Sequence, residues 1–159
     1  MTVHKDPRTD TARPWKFTEV SRRIEESYSE GSILDFGCGK YCMQVKSFRE
    51  QGRDIDGYDL WWDGQDPPLE GLYSPSRPPP RKYDLLSVSN VLNVQETVED
   101  LLETLRSVKS FLATGGTALF NYPVNPRKMG WNSSKMHLFM EANLGSRVLF
   151  ERGLWVWEP

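Results

Sequence analysis

The stretch ILDFGCG at residues 33–39 decides the predicted fold, because a short apolar run passes directly into a glycine turn. Residues 32–36 are predicted to form a buried strand. Gly37 and Gly39 allow the backbone to turn sharply and to bring a ligand close to main-chain N–H groups. Asp35 places an acidic side chain at the strand end. A glycine turn is weak evidence when it stands alone, so the surrounding sequence decides what it binds.

A second acidic residue, Asp59, ends the next predicted strand at residues 54–60. It follows the glycine turn by about 20 residues, the spacing at which a carboxylate accepts hydrogen bonds from both ribose hydroxyls of a nucleotide. Leu60 and Trp61 come next, and we expect them to offer an apolar face to adenine. The turn and the two acids together therefore predict a site for an adenosine-containing cofactor.

The order of the predicted elements indicates an α/β fold. Helices are predicted over residues 15–28, 40–51 and 96–112, and strands over residues 32–36, 54–60, 71–74, 83–88 and 117–122. We expect residues 114–116, Thr-Gly-Gly, to stop the third helix. The proline-rich residues 61–82 are predicted to form a long surface connection that covers the ligand. Alternating strands and helices imply right-handed crossovers and a Rossmann-like, mainly parallel sheet with helices on both faces.

The last part of the chain predicts a helix over residues 133–143 and then a β-hairpin. Its two runs, residues 147–150 and 154–157, are joined by a turn containing Gly153. This hairpin is expected to place an antiparallel strand at one edge of the sheet. Trp155 and Trp157 alternate with Val156, and we expect one tryptophan in the core and the other exposed or at an interface.

Length and composition indicate a single domain. Residues 15–159 are expected to form it, preceded by a flexible arm at residues 1–14. The chain is 38% hydrophobic and 26% charged with a formal net charge of −2, which argues against the broad basic surface of a stand-alone nucleic-acid binder. No apolar run is long enough to span a bilayer and the first residues are polar, so we expect no membrane partner and a cytoplasmic location.

Two alternatives for the glycine turn are disfavoured. Cys38 and Cys42 are expected to be reduced, inert thiols, and two thiols with two distant histidines are too few for a metal site. A nicotinamide dinucleotide site requires a third glycine where this chain has Cys42. The prediction is therefore a nucleotide-type cofactor without a metal.

At this point the chain resembles the class I S-adenosylmethionine-dependent methyltransferases. The matching stretches are residues 33–39, 56–60 and 83–92, with the following helix and Gly115-Gly116. The resemblance covers residues 17–122 and extends more loosely to residue 159. A narrower similarity, to small methyltransferases of phages and mobile DNA-modification clusters, is found in residues 33–40, 57–59 and 89–94.

The resemblance implies S-adenosylmethionine as cofactor and a role for each matching residue. Asp35 and the backbone of the glycine turn would face the methionyl end, and Asp59 would hold the ribose. Ser89 and Asn90, after the strand at residues 83–88, would line the site near the reacting methyl group. The predicted cofactor contacts are Asp35, Gly37, Cys38, Gly39, Asp59, Leu60, Ser89 and Asn90.

The methyl acceptor stays open. Residues 89–92, Ser-Asn-Val-Leu, lack the Asn/Asp-Pro-Pro-aromatic stretch that DNA amino-methyltransferases share, and no nucleophilic cysteine for cytosine C5 follows that strand. Residues 125–131 combine basic and aromatic side chains, which suits either nucleic-acid contact or a solvated loop. Candidates for a general base are Tyr122, His137 and Glu151, and the sequence selects none of them.

Three functions are consistent with the sequence. The first is an active methyltransferase, whose compact body lacks a separate recognition domain and so favours a partner subunit or a macromolecular acceptor such as nucleic acid. The second is a regulatory or inactive subunit that binds the cofactor without catalysis. The third is an unrelated nucleotide-using α/β enzyme. Binding of S-adenosylhomocysteine separates the first two from the third.

Overall fold

The computed structural model describes residues 18–123 and 128–159, so the predicted arm at residues 1–14 and residues 125–127 lie outside the described part. The helices are α1 Glu19–Ser27, α2 Met43–Glu50, α3 Val98–Phe111 and α4 Ser133–Leu144. The strands are β1 Ile33–Phe36, β2 Ile55–Tyr58, β3 Leu72–Tyr73, β4 Tyr83–Val88, β5 Leu112–Asn121, β6 Val148–Glu151 and β7 Leu154–Trp157. Short 3-10 turns occupy Leu60–Trp62 and Leu92–Val94.

The strands form one seven-stranded sheet in the order β3-β2-β1-β4-β5-β7-β6. Strands β1 to β5 pair in parallel, whereas β7 is antiparallel to β5 and to β6. The predicted α/β fold is confirmed. The C-terminal hairpin lies at one edge as expected, although the antiparallel strand is second from that edge and β6 is outermost. Strand order reverses between β1 and β4, and ligands of such sheets bind at the carboxyl ends beside this point.

The boundary between α3 and β5 differs from its prediction. Thr97 caps the N-terminus of α3, and the helix ends at Phe111 with the strand beginning at the next residue. Residues 114–116 therefore lie inside the strand and do not stop the helix. A Cβ atom on Gly116 would approach the Leu112 side chain to 2.7 Å. Glycine is needed here for close backbone approach at an irregularity in the β4–β5 pairing.

Both tryptophans of β7 are buried, so the expectation that one is exposed is wrong. Residues two apart in a strand share a face, and α4 covers the face that Trp155 and Trp157 occupy. The Trp155 indole donates to Nδ1 of His137 at 2.8 Å, and the Trp157 indole donates to the Leu144 carbonyl at 3.1 Å. Each polar indole group is therefore satisfied inside the core.

A buried chain of polar side chains connects α1, α2 and β4 behind the glycine turn. Ser21 bonds to the Gln44 side-chain oxygen, and the Gln44 amide donates to Ser87 Oγ at 2.9 Å. All three side chains are buried. Each of these three polar groups has a hydrogen-bond partner. The row of side chains therefore fixes the start of α2 against the sheet without leaving a buried polar group unsatisfied.

Within the described residues, no helix has the length and apolar composition needed to cross a membrane. The same residues contain no group of three histidine, cysteine or acidic side chains arranged for a metal ion. Both cysteines are free thiols, as predicted, with Cys42 buried and Cys38 partly buried.

Candidate active site

The glycine turn after β1 folds back over the end of β2. Gly37 and Gly39 have φ values of +85° and +73°, which glycine adopts without strain. The N–H groups of Gly37 and Cys38 both donate to the Tyr58 carbonyl, at 2.7 and 3.1 Å. The expectation that N–H groups of this turn are directed at a ligand is wrong for these two, because the chain pairs with β2 first.

Asp59 connects the ends of β1 and β2. Its carboxylate accepts one hydrogen bond from the Gly39 N–H at 2.7 Å and another from the Trp61 N–H at 2.8 Å. The third N–H group of the turn is therefore also bonded within the protein. A carboxylate can accept up to about four hydrogen bonds, more than the two that these backbone groups donate. Asp59 thus lies where the sequence predicted and also holds the turn in place.

Asp35 is buried beside Asp59 and has a strongly perturbed acidity. Burial, followed by the negative charge of Asp59, raises the pKa of the Asp35 carboxyl to about 8. Both carboxyls are less than one-tenth exposed. Since two close carboxylates disfavour joint ionisation, Asp35 is largely protonated at neutral pH in the free protein. A cationic group placed beside the pair would reverse this and favour the ionised form.

The residues that follow β4 lie at the same edge of the sheet. The hydroxyl oxygen of Ser89 is buried and has no hydrogen-bond partner within the described residues. Asn90 has a φ of +57°, a left-handed conformation that asparagine tolerates. Its backbone N–H donates to the Asn121 side chain, whose amide donates back to Asn90 Oδ1 at 3.0 Å. This reciprocal pair joins the carboxyl ends of β4 and β5.

Asn121 is a site residue that the sequence reasoning did not identify. Asn121 ends β5, which pairs in parallel with β4. Because the carboxyl ends of neighbouring parallel strands meet at one edge of the sheet, this position could have predicted a role in the site. The Asn90–Asn121 pair borders a cleft of about 590 Å³. Its lining residues are Glu19, Asn90, Asn121, Tyr122, Pro123, Asn132, Ser133, Phe150, Gly153 and Trp155.

The cysteine of the turn packs inward. A Cβ atom on Gly57 would lie 2.9 Å from Cys38 Sγ, so the thiol fills the space that this glycine leaves open. A hydrogen bond to the Cys42 sulfur and burial raise the pKa of the Cys38 thiol. A protonated, partly buried thiol is a poor nucleophile, which agrees with the prediction of an inert side chain.

The two residues of the predicted adenine face lie directly after the end of β2. Leu60 and Trp61 are both half-buried in the 3-10 turn that Asp59 caps. The Lys40 ammonium lies 5.1 Å from the centre of the Trp61 ring, within the range of a cation–π contact. The next segment folds back on this turn, since the Ser76 N–H donates to Asp63 at 2.9 Å.

The three candidates for a general base are differently placed. Tyr122 lines the cleft, but its hydroxyl donates to the Trp131 carbonyl and burial raises its pKa. His137 accepts from the Trp155 indole and bonds to Glu141 at 2.6 Å, which occupies both ring nitrogens. Glu151 lies 3.5 Å from the Arg23 guanidinium and outside the cleft lining. None of the three is arranged to accept a proton from a bound acceptor.

Gly37→Ala is expected to destabilise the protein by about 1–3 kcal/mol more than Gly52→Ala. Both glycines have a positive φ, so both variants carry backbone strain. A Cβ on Gly37 would lie 2.4 Å from a methyl carbon of Val91, whereas a Cβ on Gly52 has nothing within 4 Å. Urea denaturation of both variants measures the difference, and equal losses would contradict the crowding at Gly37.

Comparison with known protein families agrees with this geometry. The model of the methyltransferase domain family matches residues 11–153. The chain belongs to this family. The matched range contains the glycine turn, Asp59, the Ser89-Asn90 segment and Asn121. A search of curated protein sequences gave no match.

Two solved structures with TM-scores above 0.5 share the fold of this methyltransferase domain, and a third is less similar. A TehB-like SAM-dependent methyltransferase from Corynebacterium glutamicum is 20% identical, with 88% of this chain and 87% of that chain covered and a TM-score of 0.64. The N-methyltransferase NodS from Bradyrhizobium japonicum is 13% identical, with 87% and 91% covered and a TM-score of 0.55. An amino pentose methyltransferase from Micromonospora echinaspora is 19% identical, with 65% and 48% covered and a TM-score of 0.47. The methyltransferase domain thus spans about half the length of this last protein.

Proposed function

We propose that this protein transfers the methyl group of S-adenosylmethionine to an acceptor bound over the carboxyl ends of β4 and β5. The main support for this proposal is the hydrogen bond from the Gly39 N–H to the Asp59 carboxylate, which joins the glycine turn to the acidic end of β2. It occurs at the point of strand reversal in a chain that belongs to the methyltransferase domain family. Family membership and this arrangement support the same cofactor.

The residues present suit S-adenosylmethionine. Asp35 is a buried carboxyl with a raised pKa, and the α-ammonium of the cofactor would favour its ionised form. Asp59, the acidic residue at the end of β2, would accept hydrogen bonds from the ribose hydroxyls. The buried Ser89 hydroxyl lacks a partner among the described residues and would gain one from a ligand.

The sulfonium of the cofactor makes its methyl group electrophilic, so the protein contributes mainly by aligning the acceptor. We assign this alignment to the cleft beside the Asn90–Asn121 pair. Both side chains of the pair and the Asn90 backbone N–H are held by mutual hydrogen bonds. Aromatic side chains of Trp155 and Phe150 form an apolar wall of the same cleft. Such a cleft suits a planar or apolar group that presents one polar, nucleophilic atom.

Nucleic acid is among the proposed acceptors. Lys128, the first described residue after residues 124–127, is 3.9 Å from Glu96. If RNA or DNA accepts the methyl group, the apparent affinity should fall steeply as the salt concentration rises, because phosphate contacts release counterions. A small-molecule or protein acceptor without phosphates should show a much weaker dependence.

The decisive experiment has two stages on the full chain. Calorimetric titration with S-adenosylhomocysteine first tests for the cofactor site, and saturable binding is the expected result. Radiolabelled S-adenosylmethionine is then supplied with separate pools of RNA, DNA, protein and small metabolites. We expect label to enter one pool. Tight binding with no labelled pool would favour a regulatory or inactive subunit, and no binding at all would favour an unrelated nucleotide-using enzyme.

Asn121→Ala is expected to lower the rate of methyl transfer by about 10- to 100-fold, because a misaligned acceptor loses the benefit of a fixed approach. The dissociation constant for S-adenosylhomocysteine should change less than about twofold, since Asn121 is not among the predicted cofactor contacts. Asn143→Ala is the control, because among the described residues its side chain bonds to the Phe139 carbonyl of the same helix, and alanine keeps the backbone carbonyl that accepts from Lys109. A parallel loss of cofactor affinity in Asn121→Ala would place the asparagine pair in the cofactor site instead.

A further inference from the structure

The outer edge of the sheet is an exposed strand. Strand β6 pairs with β7 on one side, and no strand within residues 18–123 and 128–159 pairs with its other side. Leu149 and Phe150 are 56% and 53% exposed, which is unusual for large apolar side chains in a strand. The strand contains neither proline nor lysine, the residues that commonly protect sheet edges from pairing.

The hairpin register determines which backbone groups face outward. The Glu158 N–H donates to the Arg147 carbonyl, so Arg147 directs its backbone groups toward β7. Inward and outward residues alternate along an antiparallel strand. Leu149 and Glu151 therefore also bond toward β7, whereas Val148 and Phe150 direct their N–H and carbonyl groups outward. The Val148 N–H reaches the Gly145 carbonyl only at 3.4 Å, which leaves a long bond that a better acceptor can replace.

This alternation restricts how a second copy can pair. Outward residues must face outward residues, so the two antiparallel β6 strands can be centred on Val148, Leu149 or Phe150. Only the register centred on Leu149 places Arg147 opposite Glu151 of the second copy, and the two-fold symmetry repeats this pair. The other two registers place Arg147 or Glu151 opposite Leu149. Opposite charges across a strand pair stabilise it, whereas a charge facing leucine does not.

We propose that the protein forms a two-fold dimer in which β6 strands from two copies pair antiparallel in the register centred on Leu149. The two sheets then become one continuous sheet. The Phe150 N–H donates to the Val148 carbonyl of the other copy and the Val148 N–H donates to its Phe150 carbonyl. Glu151 already lies 3.5 Å from Arg23 and is half-exposed, and its carboxylate can also accept a bond from Arg147 of the second copy.

Single charge reversals test the register. Wild-type protein is expected to sediment as a dimer at micromolar concentrations. Arg147→Glu and Glu151→Lys should each sediment as monomers, because each places like charges opposite one another twice. An equimolar mixture of the two variants should restore dimers, since both cross-strand pairs then become attractive. Thermal melting of each variant checks that the fold is intact, and it separates the effect on assembly from the loss of the contact with Arg23.

Cysteine crosslinking gives an independent test. Opposed residues in a non-hydrogen-bonded antiparallel pair have Cα atoms about 4.5 Å apart, within the range of a disulfide. Leu149→Cys should therefore form a covalent dimer rapidly under mild oxidation. Leu138→Cys is the control, because Leu138 is 67% exposed on α4 and lies outside the strand. A monomeric wild type, a mixture that stays monomeric, equal crosslinking of both variants, or a dimer that survives charge reversal would each overturn the proposal.

Discussion

Asp59→Ala is expected to weaken S-adenosylhomocysteine binding by about 100-fold or more, because a carboxylate that accepts two hydroxyl donors contributes charge-assisted hydrogen bonds. The same substitution frees the N–H groups of Gly39 and Trp61, which the carboxylate now holds at 2.7 and 2.8 Å. Loss of affinity therefore combines a missing ligand contact with a looser glycine turn. Isothermal titration calorimetry on the full chain measures the combined effect.

Asp59→Asn separates the two contributions. The amide oxygen can still accept one of the two backbone bonds, so the turn keeps part of its support, while the negative charge is lost. If Asp59 contacts the ribose, this variant should lose most of the affinity that Asp59→Ala loses and much less of its thermal stability. If the role of Asp59 is structural, melting temperature and affinity should decline together across the two variants.

Asp35→Asn is expected to change how stability depends on pH. In the folded protein burial raises the pKa of Asp35 to about 8, whereas an unfolded aspartate has a pKa of about 3.9. Between these values the folded state binds more protons than the unfolded state, so wild-type stability falls as pH rises from about 4 to about 8. The neutral variant lacks this contribution. The melting temperature of the variant minus that of the wild type should therefore be higher at about pH 8.5 than at about pH 5, by roughly 5–15 °C.

The affinity for the cofactor should depend on pH in the opposite direction, again because of Asp35. An α-ammonium beside Asp35 requires the ionised form, so wild-type affinity for S-adenosylhomocysteine should increase up to about tenfold per pH unit while the pH stays below 8. Asp35→Asn should bind more weakly and without this pH dependence. Exposed Asp66, replaced by asparagine, is the control and should leave both measurements unchanged. A wild-type protein with pH-independent binding and melting over this range would contradict the assignment.

Local pattern was sufficient for most of the fold. Strand β4 matched its predicted range, and β1, β2 and α3 ended within two residues of theirs, because their apolar residues follow a clear period and α3 has a threonine cap. The errors arose where tertiary packing overrides local preference. Gly115 and Gly116 are typical of a helix stop, yet both lie within β5, where Gly116 allows the carbonyl oxygen of Asp84 in β4 to approach closely.

The candidate site was predicted less completely than the fold. Asp35, Asp59 and the Ser89-Asn90 segment could be found because each follows a predicted strand at a characteristic position. The hydrogen bonds of the turn could not, since they depend on how the ends of β1 and β2 meet in space. The contact between Asn90 and Asn121 joins residues 31 positions apart along the chain, and no periodicity in one sequence reveals such a pair.

The position of β7 has a consequence for how the chain reaches its native state. Strand β5 ends at Asn121, but its partner strand begins only at Leu154. During synthesis one edge of β5 therefore stays unpaired until the β6–β7 hairpin has left the ribosome. That edge belongs to residues that are buried in the native state, Ala118, Leu119 and Phe120. Such an interval exposes an apolar strand edge to aggregation. The nascent protein should thus depend on chaperones most strongly just before residues 154–157 emerge.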